Sequence, residues 1–83
     1  MAKRSLTVTQ IDPRTRKSRE LAKFTLERNG KIREEYKDTR FRLDMRRGVK
    51  THGRTFKPKD GYKFMGALEK VFSARSMFDV VRS

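Results

Sequence analysis

Few side chains in this sequence have the types and spacing that chemistry needs. His52 is the only histidine, and Lys50, Arg54 and Lys57 surround it. An imidazole in such company can take a proton from a ribose hydroxyl as general base, while Arg54 or Lys50 stabilises charge on a pentacoordinate phosphate. A small ribonuclease would use it that way. His52 can equally contact phosphate without catalysis, which asks less of the geometry and is the preferred reading. Asp12 together with Glu35-x-Lys37 imitates the set found in metal-dependent nucleases, where two carboxylates hold the ion and a lysine orients the nucleophile. Exposed Glu and Lys on one strand face produce the same pattern, and 83 residues supply a small core for such an enzyme. Without cysteine or a second imidazole, a zinc site lacks its ligands. Gly61 and Gly66 have the glycine spacing of a phosphate loop but not its Gly-Lys-Ser/Thr ending, and no Ser-His-Asp pattern or dinucleotide fingerprint occurs. No enzyme, metal or cofactor is expected.

Binding a polyanion asks for less. The chain carries 23 Lys or Arg against 10 Asp or Glu, a formal net charge of +13. Such an excess repels itself and is usually balanced by nucleic acid, or by anionic lipid or an acidic protein. The charge is uneven. Residues 1–59 hold 19 basic and 7 acidic groups, whereas residues 60–83 hold 4 and 3. Arg46 to Lys59 contains six basic residues and His52 with no carboxylate, and a second cluster, Arg14, Arg16, Lys17 and Arg19, follows Pro13. Arginine and lysine bind phosphates in a salt-sensitive way. Aromatic rings beside them stack unpaired bases, which selects single strands because duplex bases are already stacked. Tyr36, Phe56 and Tyr62 border basic stretches.

The elements that must position these residues are legible in the apolar pattern. Ser5–Ile11 reads as a strand closed by Asp12-Pro13. Leu21–Arg28 alternates, with Ala22, Phe24 and Leu26 inward, and Asn29-Gly30 is a strong hairpin signal. Lys31–Lys37 returns with Ile32 and Tyr36 inward. Thr39–Arg46 alternates again and predicts a strand with Phe41, Leu43 and Met45 inside and Arg40, Arg42 and Arg46 outside. A turn or bulge at Lys37-Asp38 would accommodate the change of parity. Gly53–Lys57 reads as a short edge strand. Pro58 and Asp60 start a helix whose stripe is Phe64, Met65, Leu68, Val71 and Phe72. Arg75 interrupts that stripe, which predicts a bend near residues 73–76 and a short final helix carrying Met77, Phe78, Val80 and Val81. Gly66, inside the helix, is expected to mark close approach to the sheet.

The fold class is therefore α+β: one domain over residues 1–83, an antiparallel three- to four-stranded sheet followed by a C-terminal amphipathic helix, with 12–19 a mobile basic loop. One sheet face takes the helix, and the other carries arginines. The apolar tail suggests a homodimer through the helix or a sheet edge. Met1-Ala2-Lys3-Arg4 has no hydrophobic signal region behind it, and no apolar run approaches the roughly 20 residues that span a bilayer. A cytoplasmic protein, with nucleoid association as one form of it, is expected, and no membrane partner.

Two short motifs carry a family resemblance. Leu43-Asp44-Met45-Arg46 looks like a strand ending in aliphatic-Asp-aliphatic-Arg, and Gly53-Arg54-Thr55-Phe56-Lys57-Pro58 like a Gly-x-Ser/Thr-hydrophobic-x-Pro strand leading into a helix. In this the segment Leu43–Leu68 resembles the positive cofactor four family of single-strand DNA-binding transcriptional coactivators, whose sheet-plus-helix topology is shared with Pur-alpha and Whirly proteins. The resemblance implies a curved four-stranded sheet followed by a helix, dimerisation through helices, a role in transcription regulation, and single strands lying on the outer sheet surface. It reaches Arg46 and His52 by motif position. Arg54 stands where the family is usually aliphatic, and the loop from Arg47 to His52 is shorter than typical.

The expected function is nucleic-acid binding, single strands favoured over duplex and DNA or RNA both open. The interface would comprise Arg40, Arg42, Arg46, Arg47, Lys50, His52, Arg54 and Lys57, with Tyr36 and Phe56 as stacking platforms. A competing duplex mode would lay the exposed sheet face in the major groove, with Arg40 and Arg42 reading guanine edges. Two alternatives from other classes are an adaptor gripping an acidic protein and the His52 ribonuclease.

Overall fold

The computed structural model of the chain describes residues 4–82, so Met1, Ala2, Lys3 and Ser83 lie outside the described residues. Strands β1 (Arg4–Ile11), β2 (Ser18–Leu26) and β3 (Ile32–Tyr36) form an antiparallel meander. Helix α1 (Thr39–Arg47), the hairpin β4 (Val49–Thr51) and β5 (Arg54–Phe56), a 3-10 turn (Pro58–Asp60), helix α2 (Tyr62–Ser73) and strand β6 (Phe78–Arg82) follow. The main sheet runs β3-β2-β1-β6, with β6 antiparallel to β1, and β4-β5 is a separate two-stranded ribbon.

The alternation read in β1 and β2 sets the register. Leu6 lies opposite Phe24 and Val8 opposite Ala22, and all four are buried. Beyond Val8 the pairing skips a residue, since Thr9 faces Glu20. Leu21 is the extra residue of this bulge, and it turns inward beside Ala22. The Asn29-Gly30 turn forms as expected, with Asn29 Oδ1 accepting the Lys31 N–H at 3.0 Å. The inner sheet face meets α2 through Phe24, whose ring lies edge-on to Phe64 at 5.3 Å between centroids. Phe41, Phe72 and Phe78 extend this aromatic chain.

Several expectations are corrected. Thr39–Arg46 is helical rather than a strand. Phe41 and Met45 are buried one turn apart, and Leu43 between them is 51% exposed. Alternation and i, i+4 spacing coincide over so short a segment. The helix-deciding residue is Asp38, whose Oδ1 accepts the Phe41 N–H at 2.9 Å as N-cap. Arg40, Arg42 and Arg46 consequently project from a helix and not from a sheet face.

The tail expected as a short helix carrying Met77, Phe78, Val80 and Val81 is instead a strand from Phe78 to Arg82. α2 ends at Ser73, and β6 pairs with β1 from Leu6–Arg82 to Gln10–Phe78. Phenylalanine and paired valines suit a pleated surface, and the open backbone edge of β1 supplies their hydrogen-bond partners. α2 is thus followed by a strand, and α1 lies mid-chain, so the helical part of the α+β fold is not simply C-terminal.

Gly66 does not approach the sheet. It is exposed, and a Cβ there would meet nothing within 4 Å. The helix start shifts as well. Asp60 Oδ2 accepts the Lys57 N–H at 2.7 Å and closes the 3-10 turn, and α2 begins after Gly61. In the β1–β2 connection, Asp12 and Lys17 close the loop through an Asp12 N–H to Lys17 carbonyl bond of 2.9 Å, while Ser18 and Arg19 belong to β2. No helix among the described residues is long and apolar enough to cross a membrane.

Candidate nucleic-acid interface

Cations on the sheet, Lys23 apart, are matched by carboxylates among the described residues. Arg4 and Arg82, on neighbouring strands, share Glu69 of α2. Arg19 pairs with Asp38 at 3.0 Å, Arg33 with Glu27 at 3.2 Å, and Lys37 with Glu20 at 2.5 Å. The Glu20 contact holds the Lys37 ammonium above its ordinary pKa. Strand register places Ser5, Thr7, Thr9, Lys23, Thr25, Arg33, Glu20, Glu35, Asp79 and Val81 on the outer face. Threonines and charges of both signs make that face a poor anion surface.

The segment from Thr39 to Lys63 is built differently. It contains nine Lys or Arg against Asp44 and Asp60, a net of +7. Among the described residues none of Arg40, Arg42, Arg46, Arg47, Lys50, Arg54 or Lys57 is in an ion pair. Helical spacing divides the α1 arginines. With Phe41 and Met45 turned inward, Arg42 and Arg46 share one flank, and Arg40 and Arg47 lie on the far side with Leu43.

Arg42 and Arg46 border a groove of about 650 Å³ whose opposite wall is Lys57, Pro58 and Lys59, with Tyr36 and Lys37 at the β3 end. Two carboxylates also line it, and both are engaged. Glu34 accepts the Tyr36 hydroxyl, and Asp38 caps α1 and pairs with Arg19. Arg42, Arg46, Lys57 and Lys59 therefore face the groove without carboxylate partners among the described residues. The stem of Lys57 lies near the end of α1, its Cγ 3.2 Å from where a Cβ on Gly48 would lie. Tyr36 is half-buried, its ring edge-on to Phe24 at 5.6 Å. Burial, then its hydrogen bond to Glu34, push its phenol well above the usual tyrosine range against the opposing pull of Arg42 and Arg46.

A second groove, of about 500 Å³, lies between the β4-β5 ribbon and α2. Phe56 and Tyr62 stand on its walls, Gly66 and Ala67 lie along α2, and His52, Arg54, Lys63 and Lys70 surround it. His52 and Gly53 form the two-residue turn between β4 and β5, with φ of 51° and 76°. This sharp turn brings the His52 Nε2 to the Lys70 Nζ at 2.5 Å.

The first groove thus gathers Tyr36, Arg42, Arg46 and Lys57 of the expected residues, and the second gathers His52, Arg54 and Phe56. Arg40 and Arg47 line neither, and Lys50 lies in a separate recess with Asp44, Met45 and Arg75. Lys59, Lys63 and Lys70 were not singled out by sequence reasoning. Lys63, Gly66 and Lys70 fall at i, i+3 and i+7, one polar flank of α2, which is the signal that would find them. Leu43-Asp44-Met45-Arg46, the first resemblance motif, lies in α1, whereas the second keeps its order of strand, proline and helix. Comparison with known proteins yields no match among family models, curated sequences or solved structures.

Proposed function

We propose that this protein binds nucleic acid, single strands ahead of duplex, through the basic face made by α1, the β4-β5 ribbon and the Lys57–Lys63 connection. One observation carries the reading: five ion pairs engage cations on or beside the sheet, while Arg42, Arg46, Arg54, Lys57, Lys59 and Lys63 line two grooves without an ion-pair partner among the described residues. Side chains left unneutralised at a groove are placed to exchange counterions for phosphates. Arg42, Arg46, Lys57 and Lys59 would hold successive phosphates, and the aromatic residues of the second groove favour unpaired bases. The reading keeps the ligand class that the positive cofactor four resemblance implies, including a role in transcription. It moves the path of the strand from the outer sheet surface to the face around α1. It also keeps a homodimer, now through the β6 edge, because α2 spends its apolar stripe on the sheet and Val81 on β6 is 50% exposed.

The test is fluorescence anisotropy with labelled single- and double-stranded oligonucleotides at two salt concentrations. Four phosphate contacts on a single strand give a logarithmic salt slope of about −3, so affinity falls about 50-fold between roughly 50 and 200 mM salt. Undetectable binding of every nucleic acid at the lower salt would overturn the proposal and leave these cations to an acidic protein partner.

A further inference from the structure

The groove between the β4-β5 ribbon and α2 has a feature that phosphate binding does not explain. Gly66 sits within α2, where glycine is less favourable than alanine. No turn, positive φ or close packing requires it, because a Cβ there would meet nothing within 4 Å. The open space above Gly66 belongs to the groove, which is walled by Phe56 and the 68%-exposed Tyr62. No carboxylate among the described residues lines the recess, and Arg54 and Lys63 are among the residues that do. Its volume of about 500 Å³ lies within the range of small-ligand sites.

We infer that this recess receives one unstacked base of a bound single strand, and that the missing side chain at Gly66 leaves room for it. The inference rests on the nucleic-acid reading above and adds to it a specific seat for a base. The aromatic walls offer stacking surface to any base, and the flanking cations meet the phosphates on either side. The Lys70–His52 contact fixes one end of the recess by tying α2 to the ribbon turn. A duplex cannot occupy the seat while its bases remain stacked and paired, so the recess discriminates between the two forms as well as adding affinity.

The test fills the space. Gly66→Leu adds an aliphatic side chain at an exposed helical position, where it favours the helix, and a thermal melt confirms folding. Anisotropy is then measured with single- and double-stranded oligonucleotides. The expected result is a loss of about tenfold or more in single-strand affinity, the effect of losing one stacked base, with the salt slope and duplex binding unchanged. A strand carrying 2-aminopurine provides a second readout: its emission changes on binding the wild type, as the base leaves its neighbours for the recess, and changes much less on binding Gly66→Leu. Wild-type single-strand affinity in Gly66→Leu, or equal losses for single strand and duplex, would overturn the inference while nucleic-acid binding stands. Absence of binding by the wild type itself is instead failure of the underlying reading.

Discussion

The carbonyl oxygen of Gly30 lies 2.4 Å from the point where a Cβ on Gly61 would sit. The tip of the β2–β3 turn is therefore seated directly against the start of α2, with room for hydrogen only. Gly61 has φ 58° and ψ −117°, a combination that L-residues avoid and achiral glycine tolerates. This contact ties the Lys57–Lys59 wall of the first groove to the strand that carries Tyr36, so the groove's width follows from the fold. Gly61→Ala is expected to cost roughly 2–3 kcal/mol through backbone strain and the clash together. For a domain of this size that lowers the melting temperature by about 10 °C or more, measurable by circular dichroism.

The α1 helix makes a graded prediction about its own face. Met45→Ala should destabilise by about 2–5 kcal/mol and Phe41→Ala by about 3–5 kcal/mol, because both side chains are buried. Leu43→Ala should stay within about 0.5 kcal/mol, because Leu43 faces solvent. Denaturant titration of the three variants checks this. A strand with all three residues inward would give comparable losses.

These three residues also show what was legible in the sequence. Phe41, Leu43 and Met45 satisfy strand alternation, and Phe41 and Met45 alone satisfy one turn of helix. Nine residues are too few for periodicity to choose. β1, β2 and β3 were readable because alternation there runs for longer or ends at a recognisable turn. β6 was not, because its pairing partner is the sequence-distant β1. For the site, residue type located the basic segment, and the fold then sorted it. Arg42 and Arg46 face the groove, while Arg40 and Arg47 point away, a division that follows only from helical geometry. The contributions of Lys63 and Lys70 depend on α2 lying beside the ribbon, which no local pattern specifies.

Salt dependence separates the two cation populations. The triple variant Arg42→Ala, Arg46→Ala and Lys57→Ala should lose about two units of logarithmic salt slope on single strands, at about 0.7 per phosphate contact. Lys23→Ala and Arg33→Ala, on the outer sheet face, should leave the slope unchanged. Anisotropy titrations across a salt series measure both.

Tyr36 sets a pH dependence whose sign follows from its raised pKa. The folded state holds the phenol proton more tightly than the unfolded state, where it ionises near 10. Stability from this group is therefore fully present below about pH 10 and is lost as pH rises toward the folded value. Tyr36→Phe should flatten part of the alkaline decline in melting temperature relative to wild type, while removing the hydroxyl bond to Glu34. Melting temperatures from neutral to strongly alkaline pH, compared between the two proteins, test it.

The proposed interface is located by an amide-resolved NMR titration of the labelled protein with a single-stranded oligonucleotide at low salt. The expected shifts cluster on Tyr36, Arg42, Arg46, His52–Phe56, Lys57, Lys59 and Lys63, and leave Thr7, Lys23, Thr25 and Arg33 on the outer sheet face unmoved. No shifts at any strand concentration, or shifts centred on that outer face, would overturn the proposed interface.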